Sequence, residues 1–81
     1  MLTTSPTFGY YTPCAQMRGM KINSIPYEGK DFQYPFDSIC EFITQNNPKI
    51  LLICNPNNPT GTRLSPERII EITKLSSKTL V

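Results

Sequence analysis

The sequence has no histidine and no tryptophan, and its three cysteines, Cys14, Cys40 and Cys54, form no Cys-x-x-Cys pair. Without imidazoles, and with the thiols so dispersed, a structural zinc site has almost no ligands to draw on. An odd number of thiols fits a reducing compartment, where cysteines pack as small apolar side chains. Long hydrophobic runs are also missing. The longest, Ile50-Leu51-Leu52-Ile53-Cys54, is far below the ~18–20 residues that a membrane span needs. Met1-Leu2-Thr3-Thr4-Ser5-Pro6 lacks both the basic start and the apolar core of a secretory signal, so a cytoplasmic location is expected. Eight Lys and Arg against six Asp and Glu leave a net charge of +2 with no basic run, which speaks against nucleic acid as a partner.

What is present is ordinary for a folded chain: 38% hydrophobic and 17% charged residues. Eighty-one residues make at most one small domain, and a chain of that length buries only about 60% of its unfolded surface.

Local signals then divide the chain. Pro6 biases Ser5 toward extended geometry and closes a short strand. Thr12-Pro13 reads as an N-cap followed by a first-turn proline, opening a helix that runs through Arg18 to a left-handed stop at Gly19. Met20 to Tyr27 reads as an edge strand in which Ile25 breaks the period-two phase of Met20 and Ile22. After the Glu28-Gly29-Lys30-Asp31 turn, Pro35 heads a helix with Phe36, Ile39, Phe42 and Ile43 on one face, stopped by Asn46-Asn47-Pro48. The aliphatic run from Lys49 to Cys54 predicts a central parallel strand covered on both faces. Ser65-Pro66-Glu67 opens another helix with N-cap, first-turn proline and an acid near the positive end of the dipole, and Leu64 with Ile69 suits a hydrophobic staple. Ile69, Ile70, Ile72, Thr73 and Leu75 supply its expected buried side, with Lys74 and Lys78 complementing its C-terminal end. Thr79-Leu80-Val81 reads as the start of a further strand.

Alternating strands and helices predict an α/β fold: a partial three-layer sandwich, mostly parallel sheet with helices on both faces. The chain begins within one expected strand and stops inside another, leaving sheet backbone unpaired, so residues 1–81 are expected to be an incomplete segment of a larger domain with no second domain.

The chemistry concentrates in Asn55-Pro56-Asn57-Asn58-Pro59-Thr60-Gly61, just past the carboxyl end of the aliphatic strand, where open α/β sheets bind their ligands. Prolines and a glycine fix the backbone, and carboxamides on such a loop offer neutral donors to a ligand oxygen; as punctuation alone the string describes a well-made turn. As a whole it resembles the Asn-Pro-Asn-Asn-Pro-Thr-Gly segment of the class I and II aminotransferases of pyridoxal-phosphate fold type I, most closely their histidinol-phosphate branch. Ser5-Pro6-Thr7-Phe8-Gly9-Tyr10-Tyr11 is similar to the same family's Pro-Thr-aromatic-x-x-Tyr segment, and the resemblance extends over essentially the whole chain.

The resemblance implies that Asn58 donates a hydrogen bond to the phenolic oxygen of pyridoxal 5'-phosphate and that Phe8 stacks on its pyridine ring. It places the two at the carboxyl ends of adjacent strands, facing one pocket. It makes Asn58-Pro59, and secondly Ser5-Pro6, candidates for cis peptides. It also implies transfer of an amino group from a small-molecule donor to a 2-oxo acid such as 2-oxoglutarate, and a homodimer with sites at the subunit interface. The Schiff-base lysine and the acid that pairs with the pyridine nitrogen fall, in the family, after Val81. Lys78 follows a serine, but it stands before that acid and reads as helix-end charge, and Arg63 reads as solvated surface. No residue of this segment is therefore expected to be catalytic, and the isolated chain is expected to be inactive. Two alternatives remain open: a non-catalytic gene fragment, and a segment of a related pyridoxal-phosphate enzyme such as an aromatic aminotransferase or a threonine-phosphate decarboxylase.

Overall fold

The computed structural model describes residues 1–81. Its elements in chain order are β1 (Leu2–Ser5), α1 (Tyr11–Met17), β2 (Asn23–Pro26), α2 (Phe36–Asn46) and α3 (Pro66–Thr73). β1 and β2 pair in parallel, with Leu2 opposite Asn23 and Ser5 opposite Pro26. Pro26 cannot donate to a ladder, which an outer strand tolerates.

On the other side of β1, Leu2 donates to Ile50 and accepts from Leu52, at 2.8 and 2.9 Å, and Leu51 and Leu80 continue the bonding outward at 2.8 Å. The spatial order is therefore β2, β1, the Ile50 segment and Leu80, all parallel, which matches the expected parallel α/β sheet with the Met20 to Tyr27 strand at its edge. The full strand expected over Lys49 to Cys54 does not form. It is reduced to one parallel bridge on each side, Leu2 with Leu51 and Ile50 with Leu80. A continued ladder would next use the Leu52 carbonyl, and that group instead accepts the Thr3 hydroxyl at 3.3 Å.

The first helix also starts differently from the reading. Thr12 is not its cap: the N-cap is Tyr10, with no side-chain bond, and α1 begins at Tyr11. The turn at Phe8, whose carbonyl accepts from the Tyr11 N–H at 3.3 Å, brings the chain into helical geometry early. Pro13 then occupies the third helical position, where a missing N–H still costs no intrahelical bond. The stop is as expected. Gly19 has φ +74°, its N–H bonds to Gln16 at 3.0 Å and that of Met20 to Ala15 at 3.0 Å, a Schellman motif. Met20 thus belongs to the helix cap, which is why regular pairing of the outer strand begins only at Asn23.

Leu2, Ile39, Ile43, Leu51, Leu64 and Ile72 form one buried core, with Ile25, Phe36, Cys40, Phe42, Ile53 and Ile69 packed against it. It draws on β1, the Ile50 segment, α2 and α3. Successive side chains on an extended segment face opposite ways, so Leu51 and Ile53 meet α2 and α3 while Ile50 and Leu52 line an apolar groove with Tyr11, Cys14 and Ala15 of α1. Helices accordingly lie on both faces. Pro35 is the N-cap of α2, not a residue of its first turn. Only Ile72, with Ile69 partly buried, serves the inner side of α3; Ile70 is 52% exposed and Leu75 36%, because helical spacing turns residue 70 away from the stripe through 69 and 72. Arg68, at the start of α3, lies 4.2 Å over the Phe36 ring and ties α3 to α2.

Ser65 caps α3 as expected, accepting from the Arg68 N–H at 3.3 Å behind the first-turn Pro66. Ser65→Ala should lower stability by about 1 kcal/mol, read as a shift of the urea midpoint at constant slope, and Ser65→Asp should restore most of it. Equal midpoints for wild type and Ser65→Ala would show the cap to be energetically idle.

Candidate functional site

The loop from Asn55 to Gly61 carries three asparagines with three different surroundings. Asn55 grips Leu64: its Nδ2 donates to the Leu64 carbonyl at 3.0 Å and its Oδ1 accepts from the Leu64 N–H at 2.9 Å. This two-way pairing folds the loop back onto the entry to α3. Asn57 is 3% exposed. Its Nδ2 donates to the Pro6 carbonyl at 2.8 Å and to Thr60 Oγ1 at 2.9 Å, while its Oδ1 accepts from Thr7 Oγ1 at 2.8 Å. Asn58 is exposed, and its carboxamide takes no partner within the chain.

The backbone closes around these side chains. Asn57 N–H donates to Thr62 at 2.8 Å and Gly61 N–H to Asn57 at 2.7 Å. Gly61 has φ +72° with nothing within 4 Å of a Cβ built on it, so the position asks for glycine through its backbone angle and not for want of space. Thr62 Oγ1 reaches across to the Phe32 carbonyl at 2.5 Å. The bonds Ser5-Pro6, Asn55-Pro56 and Asn58-Pro59 are all cis; the sequence reading named the first and third and not the second.

The other expected site residue, Phe8, follows β1 by three residues and is 42% exposed. Its ring meets Tyr11 edge-on at 5.5 Å between centroids and Tyr10 at 6.3 Å. Tyr11 in turn lies beside Cys54, whose electrostatic influence, with some loss of hydration, holds the phenol above its ordinary value. The aromatic segment and the asparagine loop are joined by the hydrogen bond that Thr7 Oγ1 donates to Asn57 Oδ1. Phe8 and Asn58 each directly follow one end of the Thr7–Asn57 hydrogen bond. Sequence reading missed Asn57, the one asparagine of the loop that is buried. Nothing in the string itself marks it, because the partners that fix it across the fold, Thr7 and Pro6, stand 50 and 51 residues away.

Arg63 and Lys78 are exposed, and Lys78 sits past α3, its N–H on Ser76 Oγ at 3.2 Å. The largest concavity, about 640 Å³, lies among Met1, Met20, Lys21, Asn46, Lys49 and Ile50, at the amino ends of the strands and away from both loops. No three His, Cys, Asp or Glu side chains gather in a way that could hold a metal ion, and no helix is long and apolar enough to cross a membrane.

Comparison with known proteins bears on this arrangement. The family model described as aminotransferase class I and II matches residues 1–81. The histidinol-phosphate aminotransferase of Ruminiclostridium cellulolyticum is 33% identical over 82 residues, an alignment that takes in 100% of this chain and 23% of that protein. That of Methanococcoides burtonii is 36% identical over 72 residues, 89% of this chain and 19% of its own length. Among solved structures, the histidinol-phosphate aminotransferase from Clostridium acetobutylicum superposes with a TM-score of 0.80 at 24% identity, over 91% of this chain and 21% of that one. A decarboxylase from Sulfurospirillum multivorans superposes with a TM-score of 0.76 at 29% identity, over the same shares of 91% and 21%. The chain spans less than a quarter of the length of each of these proteins.

Proposed function

The chain belongs to the class I and II aminotransferases, and from that premise we propose that residues 1–81 form part of the large, cofactor-binding domain of a pyridoxal-phosphate-dependent aminotransferase of the histidinol-phosphate type. The reaction proposed for the whole protein is transfer of an amino group from a primary amine to 2-oxoglutarate. The observation that carries this reading is the division of labour among the loop asparagines. Asn55 and Asn57 are consumed by the fold, and Asn58 is left on the same braced backbone with a carboxamide committed to nothing. A spare donor on a braced loop, next in sequence to Asn57, whose carboxamide bonds the residue before the half-exposed Phe8, fits a flat ligand with an oxygen on its edge.

Pyridoxal phosphate, when bound, supplies the electron sink for bonds broken at the substrate carbon. What this chain's residues contribute is placement. Asn58 Nδ2 donates to the phenolic oxygen, favouring its anionic form, and Phe8 covers one face of the ring and keeps water from it. The lysine that holds the cofactor covalently and the acid for its pyridine nitrogen are assigned to sequence outside these 81 residues. Neither Lys78 nor any other residue here takes their place, so the isolated chain is inactive in this reading. Added pyridoxal phosphate followed by borohydride should leave no stoichiometric adduct on Lys78. The same reading makes the whole protein a homodimer acting on small molecules in the cytoplasm, a location in keeping with three free cysteines.

Asn58→Ala in the full-length protein should weaken pyridoxal-phosphate binding about 10-fold, as expected for one hydrogen bond to a charged oxygen. Because Asn58 is exposed and unpartnered, the cofactor-free protein should lose no more than about 0.5 kcal/mol of stability. Unchanged affinity would sink the assignment of Asn58.

A second reading, a decarboxylase on the same scaffold, is favoured by the greater identity to the Sulfurospirillum multivorans structure, 29% against 24%. Product analysis separates them: an amino acid formed from 2-oxoglutarate supports amino transfer, whereas carbon dioxide released without it supports decarboxylation.

A further inference from the structure

Asn57 is the buried polar side chain that joins the two loops, and the cofactor reading assigns it no contact. Its carboxamide is saturated: both N–H donors are used, on the Pro6 carbonyl and Thr60 Oγ1, and its oxygen accepts from Thr7. Two of these partners lie 50 and 51 residues away in sequence. Its own N–H and carbonyl also bond within the loop, to Thr62 and Gly61. At 3% exposure an unmet Asn57 carboxamide would carry a desolvation cost, so the arrangement resists loosening. The residue after Asn57 is Asn58, and the residue after Thr7 is Phe8.

We propose that Asn57 is a positioning residue: through Thr7 and Pro6 it fixes the Phe8 ring and the Asn58 amide relative to one another, so that a stacked cofactor also meets its hydrogen-bond donor. The inference rests on the cofactor reading above and adds to it a residue that touches no cofactor. The physical reason is that two loops from distant parts of the chain otherwise move independently, and misplacement of a donor by about 1 Å forfeits most of a directional hydrogen bond. One buried carboxamide with three fixed partners removes that freedom.

The test uses the full-length protein and three measurements: the thermal midpoint without cofactor, the dissociation constant for pyridoxal phosphate by fluorescence quenching, and the pH midpoint of the bound cofactor's visible absorbance. Asn57→Ala is expected to weaken binding about 10-fold and to move the pH midpoint in the same direction as Asn58→Ala. The double variant should bind more tightly than the product of the two losses predicts, since Asn57 acts through Asn58. Thr7→Val should cost about 3-fold, and Thr7→Ser, which keeps the hydroxyl, should return affinity to within about 2-fold of wild type. If Asn57→Ala does not fold, the Thr7 pair decides alone: equal affinities for Thr7→Val and Thr7→Ser overturn the proposal. It is also overturned if Asn57→Ala lowers the thermal midpoint yet leaves affinity and pH midpoint unchanged, or if its effect multiplies fully with that of Asn58→Ala. A wild-type protein that binds no pyridoxal phosphate defeats the cofactor reading and the positioning role together, whereas a responsive Asn58→Ala beside an indifferent Asn57→Ala defeats the positioning role alone.

Discussion

Ile43→Ala should destabilise the chain by about 2–5 kcal/mol, the cost of a large-to-small change at a site that cannot collapse. Ile43 is fully buried and sits one helical turn from Ile39, also fully buried, on the inner side of α2. Both belong to a core of six residues drawn from four segments of the chain, so a cavity opened there cannot be closed by moving one element. The loss should be visible as a lower urea midpoint at constant slope. Ile70→Ala is the matched control. At 52% exposure it should cost at most about 0.5–1 kcal/mol. A urea midpoint for Ile43→Ala that coincides with that of Ile70→Ala would show that the buried cluster does not hold the fold.

The two isoleucines also mark where the sequence is readable. Periodicity finds Ile43, because Phe36, Ile39, Phe42 and Ile43 leave one stripe. It fails at Ile70, because a run of apolar residues on a short helix includes some that face outward whatever their chemistry. Features decided by bonds to near neighbours were legible: the Ser65 cap depends on Arg68, and the Gly19 stop on Ala15 and Gln16. Those decided at a distance were not. The Ile50 segment reads correctly as inner and parallel, while its short pairing depends on where the Thr3 hydroxyl goes, 49 residues away; the start of α1 is a local exception, set by a Phe8–Tyr11 turn that no cap residue announces.

The same distinction governs the site. The string from Asn55 to Gly61 identifies a loop and, by resemblance, assigns Asn58 a role. What braces the loop is invisible in it, since the partners of Asn57 stand at Pro6 and Thr7 and that of Thr62 at Phe32. A buried carboxamide and an exposed one, adjacent in sequence, look alike until the fold is known.

Tyr34→Phe should stabilise the protein, by about 1–3 kcal/mol at most, because its hydroxyl is buried and without a hydrogen-bond partner. The ring itself is well placed, edge-on to Tyr27 at 5.9 Å and packed against the core, and phenylalanine keeps that contact. Burial, assisted by Tyr27 and Cys40, raises the phenol well above its ordinary value of 10.0. The folded chain therefore holds a proton that the unfolded chain releases once the pH passes about 10. The stability tied to that proton is complete below about pH 10 and falls as the pH rises beyond it. Burial raises Tyr27 and Cys40 in the same direction, so the alkaline decline begins with the thiol, above its ordinary 9.0, and steepens through the tyrosines. Tyr34→Phe should remove part of the decline and leave the rest. Urea midpoints at neutral pH and at about pH 11 measure both effects. A variant less stable than wild type at neutral pH, or one with an equally steep alkaline decline, would mean that the Tyr34 hydroxyl is satisfied in solution.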